Sequence, residues 1–199
     1  GKNSAEPEAQ SPFNHLHPKG KLGVRVGGGA SGDGIRYVLP TPLRLTASNQ
    51  IHFSVDLRVP DASEATAGAH RLYLGRGVIQ STAADFSLSA DAFAMRRDGK
   101  WLTLRKLVPG EWLTLRVTLD GKSNLITGHI GKPGDLTPLP GTPLPPNWDR
   151  TLDTFICDGN GHSQGVAPSH DLDNLGIQHS PIPAPDAPPV ESKPLNPVP

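Results

Sequence analysis

The sequence is poor in most of the features that would announce a chemistry. Of 199 residues one is cysteine, Cys157, which excludes an internal disulfide and leaves a small buried hydrophobe as its ordinary role. Neither sign of charge is in excess, with 19 Lys+Arg against 19 Asp+Glu. A duplex-binding domain carries a clear basic surplus, so nucleic acid is not an expected partner. No apolar run approaches the ~18 residues that a membrane-crossing helix needs. There is no phosphate loop and no Gly-x-Ser-x-Gly elbow. Helical period is missing too: 78–95 comes closest, but Phe86, Leu88 and Ala90 alternate as a strand does.

What the chain does have is glycine and proline, 22 of each, and between them short alternating strands. Ile51, Phe53, Val55, Leu57 and Val59 alternate with polar residues up to Pro60, and Leu113, Leu115, Val117 and Leu119 repeat the pattern. Shorter candidates lie at 22–26, 35–39, 71–75, 86–90, 93–97, 101–107, 125–130, 154–157 and 175–178. Asp98-Gly99 and Asp120-Gly121 are two-residue hairpin signals and Pro109-Gly110 a tight turn, which predicts a four-stranded antiparallel meander over 93–130. Many short strands separated by turns indicate an all-β, two-sheet antiparallel sandwich.

The flanks read differently. Residues 1–20 hold Pro7, Pro12 and Pro18 without an apolar period, and are expected to be a loose arm. Residues 180–199 hold eight prolines (Pro181, Pro183, Pro185, Pro188, Pro189, Pro194, Pro197 and Pro199). They are expected to be an extended tail or a linker to further domains of the same polypeptide. The sandwich is then assigned to 21–179. Within it, 131–150 carries six prolines, Pro133, Pro138, Pro140, Pro143, Pro145 and Pro146, and is expected to be a long surface connection.

Three pieces resemble one family as a set. Residues 45–59 are similar to the opening strand of laminin-G-like and concanavalin A-like modules. The Glu111-to-Gly121 stretch resembles their central hairpin, and Asp171-Leu172-Asp173-Asn174-Leu175-Gly176-Ile177-Gln178 their closing strand. The stretch from Phe155 to His162, leading into Asp171, also resembles regions of secreted bacterial sialidases. The resemblance implies a jelly roll, a secreted or cell-surface setting, and a role as an accessory module attached to glycoside hydrolases.

Catalysis is not expected of this chain. A glycosidase needs two facing carboxylates, and the only glutamates are Glu6, Glu8, Glu64, Glu111 and Glu191, three of them in the flanks. The Glu-x-Asp-x-x-Glu motif of laminarinase-type relatives is missing. The expectation is a carbohydrate-binding module whose partner is a glycan. The alternatives are a structural or adhesion module that binds protein or spaces domains, and a fragment of a sialidase-like hydrolase whose catalytic part lies elsewhere. Stacking platforms for a sugar are Trp112, Trp101, Trp148 and Tyr73, with Arg116 on the face of Trp112; Trp112 and Trp148 have packing roles as the alternative. The resemblance also implies a structural Ca²⁺ before the closing strand, with Asp158, Asn160, Asp171, Asp173 and Asn174 as oxygen donors. The alternative is that Asp173 caps a turn and Asn174 takes a left-handed conformation.

Overall fold

The computed structural model describes residues 2–16, 22–28, 34–60, 67–161 and 165–185. The proline-rich tail beyond 185 and His162 lie outside them. The described residues build fourteen strands. The first seven are β1 (Ser4–Glu6), β2 (Gly23–Val26), β3 (Gly34–Arg44), β4 (Gln50–Arg58), β5 (His70–Arg76), β6 (Ser81–Leu88) and β7 (Ala92–Arg97). The rest are β8 (Lys100–Lys106), β9 (Leu113–Asp120), β10 (Leu125–Lys132), β11 (Asp135–Pro138), β12 (Thr142–Pro143), β13 (Thr151–Asp158) and β14 (His170–Gln178). They form two antiparallel sheets, in the order β1-β2-β14-β4-β9-β10-β11 with β12 on β10, and β3-β13-β5-β6-β7-β8.

The period-2 pattern sets the core. Ile51, Phe53, Val55 and Leu57 of β4 register against Leu119, Val117, Leu115 and Leu113 of β9, so both apolar rows fall on one face. They meet Leu72, Leu74, Phe86, Leu88, Phe93, Met95, Phe155 and Cys157 of the second sheet in a single cluster. The rings of Phe53 and Phe155 bridge the layers at 5.6 Å. Burial pushes the Cys157 thiol far above its ordinary range, which leaves it inert. Pro40 and Pro42 sit in β3, an edge strand whose register with β13 slips between Leu152 and Thr154. Only an edge accommodates residues that have no N–H to donate.

Three local expectations change. The 93–130 segment is not one meander: β7–β8 and β9–β10 are hairpins in different sheets. The chain crosses between them at Gly110, whose N–H bonds Val59 O at 2.8 Å. Asp98-Gly99 is the expected two-residue turn, with φ of 50° and 76°. The Asp120-Gly121 turn is longer, running to Asn124 at φ 58°, with Asp120 Oδ1 accepting the N–H groups of Lys122 and Ser123. Residues 131–150 are not bare loop, since β11 and β12 pair with β10 and Leu139, Leu144 and Trp148 are buried.

The largest correction concerns the N-terminal arm. Residues 4–6 pair with β2, and Ala9, Ser11 and Phe13 are buried. Ser11 N–H bonds Asp173 Oδ2 at 2.8 Å and its hydroxyl bonds Asp56 Oδ2 at 2.7 Å. Asn174 donates to Phe13 O at 2.7 Å, and Arg58 donates to Glu8 O. Gly23 permits the approach, because a Cβ there would sit 1.7 Å from Ala9 O. Side chain-to-backbone bonds of this kind leave no apolar period to read. At the other end Ile182 is buried and its carbonyl accepts from Arg116. The outer face of the first sheet is thus roofed by both flanks.

Candidate functional site

The outer face of the second sheet is built from the opposite parity to the core. Register places Ile156, Tyr73 and Asp85 side by side across β13, β5 and β6, and Arg96 beside Trp101 across β7 and β8. One step along, Asp158, Arg71, Ser87, Ala94 and Thr103 form the next row. Residues on facing positions of paired strands share a face, so charged and aromatic groups from five strands converge.

Their electrostatics are unbalanced. Arg71 gives one bond to Asp158 Oδ2, at 2.7 Å, and its guanidinium stands 5.7 Å from the Tyr73 ring. Its Nε–H is buried without a partner among the described residues, as is Asp85 Oδ1. Asp85 is 6% exposed, and its other oxygen stands 3.6 Å from Arg96. Burial raises its carboxyl pKa, and the nearby charges of Arg71 and Arg96 only partly offset this. An unmet buried acceptor and an unmet buried donor on adjacent strands each carry a desolvation cost of about 1–3 kcal/mol.

Beside this face the sheet splits. The β6–β7 ladder holds only at Phe86↔Met95, Ser87↔Ala94 and Leu88↔Phe93. Beyond Phe86 and Met95 the strands diverge, and a cleft of about 480 Å³ opens. Residues 82–85 and 96–99 line its walls, Ile126 and Leu144 the core side, and Pro143, Pro145, Pro146 and Asn147 the rim. Its volume suits a small ligand.

The sequence-predicted residues divide between the faces. Trp101 and Tyr73 lie on the outer face of the second sheet with Asp158, but Tyr73 is fully buried and is no platform. Its hydroxyl reaches the carbonyls of Arg76 and Ser81 at 2.9 and 3.1 Å, and burial lifts its pKa to about 12. Trp148 is not an exposed anchor: it is 3% exposed, with Nε1–H on Thr151 O at 2.9 Å. Trp112 and Arg116 belong to the roofed face, where the Arg58 guanidinium covers the Trp112 ring at 4.8 Å. Sequence reading missed Arg71, Asp85 and Arg96. Their signal was faint but present, each a charge at an outward position of a strand that also carries apolar residues.

The five calcium candidates are not gathered. Asp158 belongs to the second sheet and Asp171, Asp173 and Asn174 to the first. Asp171 is fully buried between Arg25 and Arg58, with Arg25 Nε 2.7 Å from Oδ1 and Arg58 Nε 3.0 Å from Oδ2. Asp173 accepts the N–H groups of Ser11 and Asn174, and Asn174 has φ 49° at a bulge in β14. The Asn160 N–H bonds Asp158 Oδ1, and Asp158 also holds Arg71. Two carboxylates already committed to guanidinium groups do not fit a hard cation, and the described residues hold no group of three or more metal-ligating side chains.

No family model matches the chain, and no curated protein matches it. Solved structures do resemble it. A sialidase aligns at TM-score 0.55 and 9% identity over 89% of this chain. The catalytic domain of a GH131 β-glucanase from Podospora anserina gives 0.56 and 9% over 92% of this chain and 81% of its own. Peanut lectin gives 0.53 and 9% over 90% of this chain and 100% of its own. The chain spans 18% of the sialidase. At these identities the likeness fixes the fold, a concanavalin A-like jelly-roll sandwich, which is the fold that the sequence motifs resembled.

Proposed function

We propose that this chain is a non-catalytic carbohydrate-binding module of a secreted or cell-surface protein, and that it takes its glycan on the outer face of the second sheet and in the adjoining cleft. The observation that carries this reading is the unmet pair, Arg71 Nε–H and Asp85 Oδ1, on one face beside the half-exposed Trp101. A sugar hydroxyl both accepts and donates, which is the chemistry that both groups lack, while an aromatic side chain offers its face to pyranose C–H groups. A hydrolytic role would need a second free carboxylate opposite Asp85. Asp158, on the same face, is held by Arg71, which favours binding over turnover.

The reading is tested on a glycan array with the full chain. Binding is expected, and Asp85→Asn and Trp101→Ala each weaken it at least tenfold, the equivalent of about 1.4 kcal/mol, while Trp112→Ala leaves it unchanged. A silent array together with capture of a defined protein partner would favour the adhesion reading instead.

A further inference from the structure

A second pocket lies across the sandwich, at the end of the roofed face away from Asp171. It offers about 120 Å³ between β4, β9 and β10, room for more than one water. Register sets His52 beside Thr118, and Arg116 beside His129, all on the outer parity. Three basic side chains therefore line one small cavity, and none of its other lining residues is acidic.

Arg116 sets this pocket apart. Arg25, Arg58, Arg71 and Arg105 each hold a carboxylate. Arg116 is half-buried and holds none among the described residues, giving one bond to the Ile182 carbonyl. A guanidinium has five N–H donors in a planar fork suited to oxyanions. Burial lowers the Arg116 pKa. His52 and His129 are lowered too, by burial first and then by the Arg116 charge. His179, bonded to Gln50 O at 2.8 Å, adds to the repulsion on His52. The nearest acid on this edge, Asp120, is bonded by Gln50. A cavity whose basic groups repel one another, with no counter-charge supplied by the lining, is complementary to an anion.

We infer that the pocket lined by His52, Arg116, Thr118 and His129 is an oxyanion site that takes sulfate, phosphate or a carboxylate, either free or carried on a sugar. Arg116 supplies the fork and His129 an N–H donor, while His52 Nδ1 and the Thr118 hydroxyl, bonded to each other at 3.1 Å, present one further donor as a pair. Gly128, at φ 147°, lets β10 lie close against β9, since a Cβ there would sit 2.0 Å from the Arg116 carbonyl oxygen. The site is independent of the cleft across the sandwich, so either can fail alone.

The test follows the ring protons of His52 and His129 by NMR in the full chain. Sodium sulfate is titrated against sodium chloride of equal ionic strength. Saturable shifts and a raised pKa at both histidines in sulfate alone are expected, because an anion removes the repulsion that now lowers them. Arg116→Gln should abolish the response. Histidine shifts that match in the two salts would overturn the site, and wild type alone decides that point if the variant does not fold. A response that persists undiminished in folded Arg116→Gln would overturn it as well. Repeating the titration with a sulfated, a carboxylated and a neutral oligosaccharide separates the sources. Saturation at lower concentration by a charged sugar than by inorganic sulfate identifies a sugar-borne anion, and the reverse order identifies the free ion. Equal saturation by the neutral sugar would contradict anion recognition.

Discussion

The two outer faces of this sandwich are made of the same materials and meet different ends. Both are outward parities of antiparallel strands, and both bring arginines and aspartates together from distant parts of the sequence. On the first sheet the flanks fold back and satisfy what they cover. Asp171 is gripped by Arg25 and Arg58. Asp56 accepts from Thr114, Asn174 and Ser11 at 2.5, 2.6 and 2.7 Å. On the second sheet nothing equivalent among the described residues reaches Asp85 Oδ1 or Arg71 Nε. A face that is finished internally contributes stability, whereas one left unfinished is poised for an external partner.

Breaking the finished face should cost most. Asp171→Ala strands two guanidinium groups that are 27% and 18% exposed, and removing one partner of a buried pair typically costs 3–5 kcal/mol. Partial exposure of the arginines places the expected loss near about 3 kcal/mol in urea unfolding. Calcium should restore none of it, and should leave the wild-type melting temperature unchanged.

Acid should sharpen the contrast next. His70 and His170 face each other between the sheets, Nδ1 to Nδ1 at 2.8 Å. Burial lowers their pKa values to about 4 and about 3. A folded pKa below the unfolded one means that the unfolded chain binds more protons. Stability is therefore lost as pH falls below about 6.5, by roughly 3 kcal/mol from His70 alone by pH 4. Asp56 works against this. Burial raises its pKa to about 6 despite its three donors, so its stabilising contribution is full below about 4 and is lost as pH rises through about 6. Asp56→Asn should steepen the acid limb of the stability profile, and His170→Asn should flatten it.

The Asp85 change on the second sheet should barely register in stability. Asp85→Asn removes a buried acceptor that has no donor, and the expected change is within about 1 kcal/mol of wild type in either direction. Its effect belongs in binding. A loss of several kcal/mol on unfolding would mean that Asp85 is a finished structural group after all.

The strands were legible because alternation is local. The β4 and β9 rows name their own buried face, and Asp98-Gly99 names its own turn. What covers a face is not local. Ser11 meets Asp173 across 162 positions, and Arg25 meets Asp171 across 146. Asp158 and Asp171 therefore resembled calcium donors until arginines from remote strands accounted for both. The open face was half visible for the same reason. Trp101 and Asp158 stood out by residue type, whereas Arg71, Asp85 and Arg96 gain meaning only once register lays them side by side. The N-terminal arm was misread because its contacts run through hydroxyls and carbonyls, which leave no periodic trace.

The central claim is that the second sheet's outer face is the ligand surface, and amide chemical-shift mapping with a glycan found by array tests it most directly. The account predicts shifts at Arg71, at residues 83–85 and at residues 96–101, with those around Asp56 and Asp171 unmoved. Shifts gathered instead on Trp112 and the strands beneath the N-terminal flank would contradict it.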